Sequence, residues 1–347
     1  MGGKAVLDGI VESANVHGSD LLTNEAMMFL EKLHRRFHQD LHQLEEQQNR
    51  TSNGQLLMET KDIREASWEV KAVRKDLQER RVVLKNSASP LESVPQNSGA
   101  NLFIADYFAE SLSFTDRLIA QENLKLFIQR NFFHTVQKPI AVMITPSDWR
   151  RKDTINGLQM SASLVDFGLY VFHHTETLKR NGSAPYLCLN GLETYEEAKW
   201  WNNVLTYLER EMNLKEGTMK ATITITMENV HQTEEMLYEL RNHCAGIHLI
   251  EGNRGITDVA RYVISIGHKR KTHVISEGSE KKRQADLFEA LTREAVEGFD
   301  GKCVTDASLI QMIKGIWNHY MPEPNQMWKK RHEYLSILAD LNQTKVV

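Results

Sequence analysis

Cysteine and proline are scarce in this chain of 347 residues, which holds three of the former and seven of the latter. Cys188, Cys244 and Cys303 are odd in number, widely spaced and never arranged as CxxC, which argues against a disulfide framework or a zinc knuckle and for a reducing compartment. Seven prolines and nineteen glycines exclude the collagen-like and proline-rich disordered classes. An excess of one charge is also missing. Forty-two Lys plus Arg face 46 Asp plus Glu, a net charge of -4, so the whole molecule has no attraction for nucleic acid or for an anionic membrane. Long apolar runs are lacking as well: Asp8 and Glu12 interrupt the amino terminus, which reads as neither a signal peptide nor a membrane span. Val6 stands where a myristoylation signal has Ser or Thr, and Lys345-Val346-Val347 is no peroxisomal address, so a cytoplasmic location is expected. Walker A, GxGxxG and GxSxG sequences are absent, which leaves phosphate-loop, dinucleotide and nucleophile-elbow chemistry without a signal.

What is present is a regular alternation. From residue 21 to about 48, Leu22, Ala26, Leu30, Leu33, Phe37, Leu41 and Leu44 recur at three- and four-residue spacing and predict an amphipathic helix capped by Thr23 or Asn24. Residues 59–80 read as a helix or turn leading into a first strand. Eight short apolar runs then follow, at 81–85, 101–107, 140–145, 185–189, 221–226, 245–250, 272–276 and 302–305. Continuous apolar runs fit strands buried on both faces, and helical stretches between them favour parallel crossovers, so the pattern predicts an α/β fold of the (β/α)8 TIM-barrel type. Residues 194–212 form the clearest crossover helix, with Thr194 and Glu197 as a capping box and Ala198, Trp201, Leu205 and Leu208 on one face. The 87–100 connection, with Pro90, Pro95 and Gly99, is expected to be irregular. The segment GNRGITDVAR, 252–261, is too short for both a complete crossover helix and a long loop. The expected division is an N-terminal helical region (1–80), a barrel (81–322) and a helical tail (323–347).

Several clusters carry candidate chemistry. His34, His38 and His42 make a helical stripe that a metal could bridge, but a solvated face explains them more simply. His243, Cys244 and His248 straddle a helix end and a strand start, and read as a core cysteine with turn histidines. The basic runs 268–271 and 281–283 could receive phosphates, with Lys269 and Arg270 as the candidates, although charge runs usually face solvent. A barrel places its chemistry at the carboxyl ends of its strands. Those positions hold Asp106, Thr145, Ser147, Thr226, Glu228, Glu251 and Asn253. Glu228 with Glu251 could hold Mg2+, against the plainer reading of ordinary loop carboxylates.

In order along the chain, IREASWEV (63–70), FIADY (103–107), SLVDFGLYVFHHTETL (163–178), APYLCLNGLETYEEAKWWNNVLTYLE (184–209), GTMKATITI (217–225), GHKR (267–270) and EAVEGFDGKCV (294–304) resemble malate synthase, of the shorter Mg2+-dependent type. The resemblance covers nearly all of residues 20–326. It implies a TIM barrel and a Claisen condensation of acetyl-CoA with glyoxylate. That reaction takes Mg2+ and an arginine to polarise the aldehyde, and an aspartate to remove a proton from the acetyl methyl.

The positions that carry this chemistry have changed. The family's VRxRGxH motif falls on residues 144–150, where Thr145 and Ser147 replace the two arginines and Arg150 and Arg151 are displaced. The metal-ligand glutamate falls on Thr226, two residues before Glu228, and the metal-ligand aspartate on neutral Asn253. After Asp106 the acidic pair becomes Phe108-Ala109, and a strand-end lysine becomes Gly191. The base belongs to a C-terminal helical domain in the family, and this sequence ends about twenty residues after Asn325-Gln326. The expectation is a barrel that lacks that domain and has lost the reaction, needing no cofactor, with Mg2+ only if activity persists. It would bind a small carboxylate or an acyl-CoA, or serve a protein partner or homo-oligomer, with neither nucleic acid nor membrane. The alternative is a repurposed acyl-CoA lyase or transferase of the citrate-lyase-β-like kind, with Asp106, Glu228 and Glu251 the first residues to test, or, furthest from the pattern, a residual malate synthase.

Overall fold

The computed structural model describes residues 20–47, 56–87, 98–109, 111–133, 139–250, 258–278 and 284–329. Eight parallel strands close into a barrel in sequence order: β1 (Val82–Ser87), β2 (Leu102–Asp106), β3 (Ala141–Thr145), β6 (Tyr186–Leu189), β7 (Lys220–Ile225), β8 (Cys244–Ile250), β9 (His273–Glu277) and β10 (Gly301–Val304), with β10 returning to β1. All eight expected strands are present, because strands covered on both faces leave an unbroken apolar signature in the sequence. Their side chains split by alternation. Val82, Leu84, Phe103, Val142, Leu187 and Ile223 pack outward with the helices, whereas Val83, Leu102, Ile104, Met143, Tyr186, Cys188, Ile275 and Cys303 fill the interior.

The two remaining strands lie outside the barrel and were not anticipated. β4 (Lys152–Ile155) and β5 (Leu158–Ser161) form an antiparallel hairpin after β3, turning on Asn156 and Gly157, both at positive φ. Asn-Gly is the favoured pair for such a two-residue turn. The polar alternation of Lys152, Asp153 and Thr154 hid the strand beside it.

The long amphipathic helix runs Asn24–Gln47, and the Thr23 hydroxyl caps it by accepting from the Ala26 amide at 3.2 Å. It packs on the Ala162–Arg180 helix at Gly168, where a Cβ would come within 2.6 Å of Leu30 Cδ2. Over 59–80, expected as a helix or turn, there is a short helix, Lys61–Glu65, and a single 3-10 turn, Lys75–Leu77. The Tyr195–Glu211 helix is capped by Thr194 as expected, while the Glu197 carboxylate accepts from the Glu193 and Thr194 amides. The crossover after β8 does contain a 12-residue helix, Asp258–Lys269, because that helix extends past Arg261. The expected irregular connection after β1 lies mostly outside the described residues. Among the described residues no helix is long and apolar enough to cross a membrane.

Candidate functional site at the barrel mouth

Continuing the inward alternation of each strand toward its carboxyl end brings a polar group onto almost every stave: Lys85 on β1, Asp106 on β2, Thr145 on β3, Asn190 after β6, Thr224 on β7, His248 on β8, Glu277 on β9 and Cys303 on β10. These side chains meet. Lys85 Nζ donates to Glu277 Oε1 and lies 3.7 Å from Asp106 Oδ2. The other Glu277 oxygen lies 3.8 Å from His248 Nδ1. Cys188 Sγ is 3.9 Å from the same nitrogen and 3.8 Å from both Thr224 Oγ1 and Asn190 Oδ1, and the Thr224 hydroxyl donates to Asn190.

Burial sets the protonation states. It works against the charge on Lys85, but the Glu277 carboxylate outweighs it and holds the ammonium above its usual range. Burial, helped by the Lys85 charge, pulls the His248 imidazole down to about 3. Burial also pushes the Cys188 thiol up to about 12 and holds Cys303 well above the usual thiol range. At neutral pH the mouth therefore presents an ion triad, a neutral imidazole and two protonated thiols. It holds no ready nucleophile, because neither amine nor thiol is deprotonated.

The residues singled out from the sequence fare differently. Asp106 lies at the mouth, where it accepts the Phe108 amide at 3.0 Å. Thr145 is fully buried and its hydroxyl has no hydrogen-bond partner. Ser147 is buried too, its hydroxyl donating to the Tyr107 carbonyl at 3.2 Å and its amide to Asp166 at 2.9 Å. Arg150 reaches the start of the Tyr195–Glu211 helix, pairing with Glu193 at 2.9 Å, Glu197 at 3.0 Å and Asp148 at 3.0 Å. Arg151 donates to the Leu112 carbonyl at 2.5 Å. Thr226 donates to Glu228, an exposed carboxylate whose pKa that bond lowers. Glu251 and Asn253 lie outside the described residues.

Lys269 and Arg270, the phosphate candidates, sit at the opposite, amino-terminal end of the barrel and are otherwise engaged. Arg270 is buried, bonds Glu234 at 2.9 Å, donates to the carbonyls of Ala66 and Arg64 at 2.8 Å each and stacks 4.0 Å over Trp68. Lys269 donates to Glu234 and to the Arg64 carbonyl, both at 3.0 Å. Together they clamp the 61–70 segment across the barrel floor. Of the second basic run, Lys281 to Arg283 lie outside the described residues.

His38 and His42 are exposed as a solvated face requires, with His42 3.4 Å from Glu46, whereas His34 is half-buried and burial lowers its pKa. Cys244 is a core cysteine, and His243 is buried between Asn202 at 2.7 Å and Glu209 at 3.1 Å. His248 is no turn histidine. It is an inward residue of β8, because Ile247 and Leu249 on either side face the helices. Lys85, His248, Glu277 and Cys303 were all missed as site residues. Lys85 and Glu277 stand two residues on from the inward Val83 and Ile275, and His248 and Cys303 two residues on from Gly246 and Gly301, a pattern legible only once the strands' alternation is fixed.

A Mg2+ ion wants several oxygen donors in a near-octahedral shell. Among the described residues the one group of three side chains able to share an ion is His248, Glu277 and Cys303, and Lys85 stands against both mouth carboxylates, Asp106 and Glu277. That donor set does not fit Mg2+.

Fold and site define a closed (β/α)8 barrel with a polar constellation at the carboxyl ends of its strands, the arrangement of TIM-barrel proteins that act on small molecules. A family model, malate synthase, TIM barrel domain, matches residues 149–290. The malate synthase of Myxococcus xanthus (strain DK1622) is 27% identical over 94% of this chain and 72% of its own length. Malate synthase of Dictyostelium discoideum is 32% identical over 65% of this chain and 46% of its own, and malate synthase A of Escherichia coli (strain K12) is 31% identical over 65% and 47%. These likenesses support membership of the malate synthase family.

Proposed function

We propose that this chain keeps the malate synthase barrel without the condensation of acetyl-CoA and glyoxylate, and acts through binding or assembly. One observation carries the reading. Where the family resemblance calls for two arginines at the end of β3, Thr145 and Ser147 supply buried hydroxyls, and the next arginine in the sequence, Arg150, is engaged by three carboxylates, Asp148, Glu193 and Glu197. A hydroxyl can donate one hydrogen bond to an enolate but brings no charge, and charge at a developing oxyanion is usually the largest single contribution to such catalysis.

Two further features support it. The position of the family's lysine is Gly191, at φ +69°, where a Cβ would lie 2.8 Å from the ring of Phe108, which stands at the position of a family acidic residue. An apolar contact thus replaces two charged groups. The donors beneath the mouth are nitrogen and sulfur as much as oxygen, so Mg2+ has no place in this reading.

The test is an assay of the purified protein with acetyl-CoA, glyoxylate and Mg2+. No turnover above the uncatalysed rate is expected, and malate formation at rates typical of enzymes would end the proposal. Thermal shift with CoA esters and with small carboxylates then separates a ligand-binding barrel from an assembly subunit, since a ligand bound only by the native state raises its stability.

A further inference from the structure

We propose that His248, Glu277 and Cys303 form a site for a borderline-soft divalent cation of the zinc type, set inside the barrel mouth. The inference stands apart from the loss of condensation activity and uses no assay of it. The three residues come from β8, β9 and β10, adjacent staves, and offer one nitrogen, one carboxylate oxygen and one sulfur within 4.8 Å of one another. Neither His248 nor Cys303 has appreciable solvent exposure, while Glu277 is 17% exposed and opens the group to the mouth.

The spacing is informative. His248 Nδ1 and Glu277 Oε2 are 3.8 Å apart, too far for a hydrogen bond. Two donors sharing a tetrahedral zinc at its usual bond lengths stand about 3.4–3.6 Å apart, so His248 and Glu277 are within a few tenths of an ångström of that spacing and the group as a whole closes within about an ångström. His248 Nε2 is buried without a hydrogen-bond partner, so one ring nitrogen has its lone pair or proton unused. Cys188 Sγ, 3.9 Å from Nδ1, is a second sulfur beside the group.

Lys85 is the obvious objection, since its ammonium already bonds Glu277. It takes Oε1, however, and leaves Oε2 toward His248, with Asp106 3.7 Å away to share its charge. Charge then balances. On binding, Cys303 gives up its thiol proton to solvent, and the ion's two positive charges with that of Lys85 meet three negative ones on Cys303, Glu277 and Asp106. Thiolate and imidazole donors select this class of ion over Mg2+.

The test uses the intact protein, stripped with a chelator and titrated in parallel with Zn2+, Mg2+ and Co2+. One Zn2+ per chain is expected, bound at least a hundredfold more tightly than Mg2+, and Co2+ should give the intense near-ultraviolet band of a thiolate ligand. Cys303→Ser should abolish that band, and His248→Gln should weaken Zn2+ binding at least tenfold. Should a variant fail to fold, X-ray absorption of the zinc-loaded wild type takes its place, with a sulfur in the first shell expected. Binding with no thiolate band, as the surface stripe His34, His38 and His42 would give, overturns the proposal. So does a band that survives Cys303→Ser, or no stoichiometric binding at all.

Discussion

Lys85 shows how much of the mouth depends on single side chains. It is the only cation against Asp106 and Glu277 among the described residues, and both carboxylates are less than a quarter exposed. Lys85→Met should therefore cost about 3 kcal/mol in urea unfolding, the lower end for breaking a buried pair, because it leaves two carboxylates facing each other. Gly191 gives a second prediction. Gly191→Ala forces a Cβ against Phe108 and keeps a left-handed backbone, for a combined loss of about 2–3 kcal/mol. Adding Phe108→Ala should return the steric part and not the backbone part, which a double-mutant cycle would read as a favourable coupling. These site residues were the least legible in the sequence. Asp106 was found because it ends a strand, whereas Lys85, His248 and Cys303 sit within strands, and which way they face follows only from the alternation of neighbours.

At the scale of elements the sequence was far more transparent. Strands such as AVMIT and YLCL are covered on both faces, so each of their residues carries the signal. The β4–β5 hairpin has one covered face and alternates buried Asp153 with exposed Thr154, which reads as loop despite its Asn-Gly turn. Helix packing offers a clean test. Gly168 lets the Asn24–Gln47 helix lie close on Ala162–Arg180, and a Cβ there would meet Leu30 at 2.6 Å and Leu33 at 3.3 Å. Gly168→Ala gains helix propensity of up to about 1 kcal/mol but should still destabilise the protein, since overpacking a tight contact costs about 1–3 kcal/mol. Gly168→Ala with Leu30→Ala should relieve the clash while leaving the cost of the lost leucine. Thermal melts of the wild type and the two variants decide it.

For the whole molecule, buried imidazoles set the response to acid. His174, His248 and His273 are each pulled down to about 3, chiefly by burial. Their folded-state values lie below the unfolded value near 6.5, so between those limits the unfolded chain binds more protons and stability falls as pH falls. Glu197 acts the other way. Burial raises it to about 7 despite its bond to Arg150, so its ionisation costs stability as pH rises through that value. Burial lowers His34, His173 and His231 as well, so the imidazoles outnumber Glu197 and stability falls as pH drops below about 6. Chelator-treated protein should melt at lower temperature at pH 5 than at pH 7, and His174→Phe should shallow that slope by one proton.

The return of β10 to β1 has a consequence for how the molecule comes into being. Val82 pairs with Lys302, about 220 positions later, and nothing nearer in the chain can cover that edge of the first strand. A nascent chain must therefore carry β1 with an open edge through the synthesis of every other stave, and loop closure over such a distance makes the final pairing slow. Until it forms, two unpaired edges are available to other chains, so the interval before closure is when this barrel is most exposed to misassembly and most in need of a chaperone.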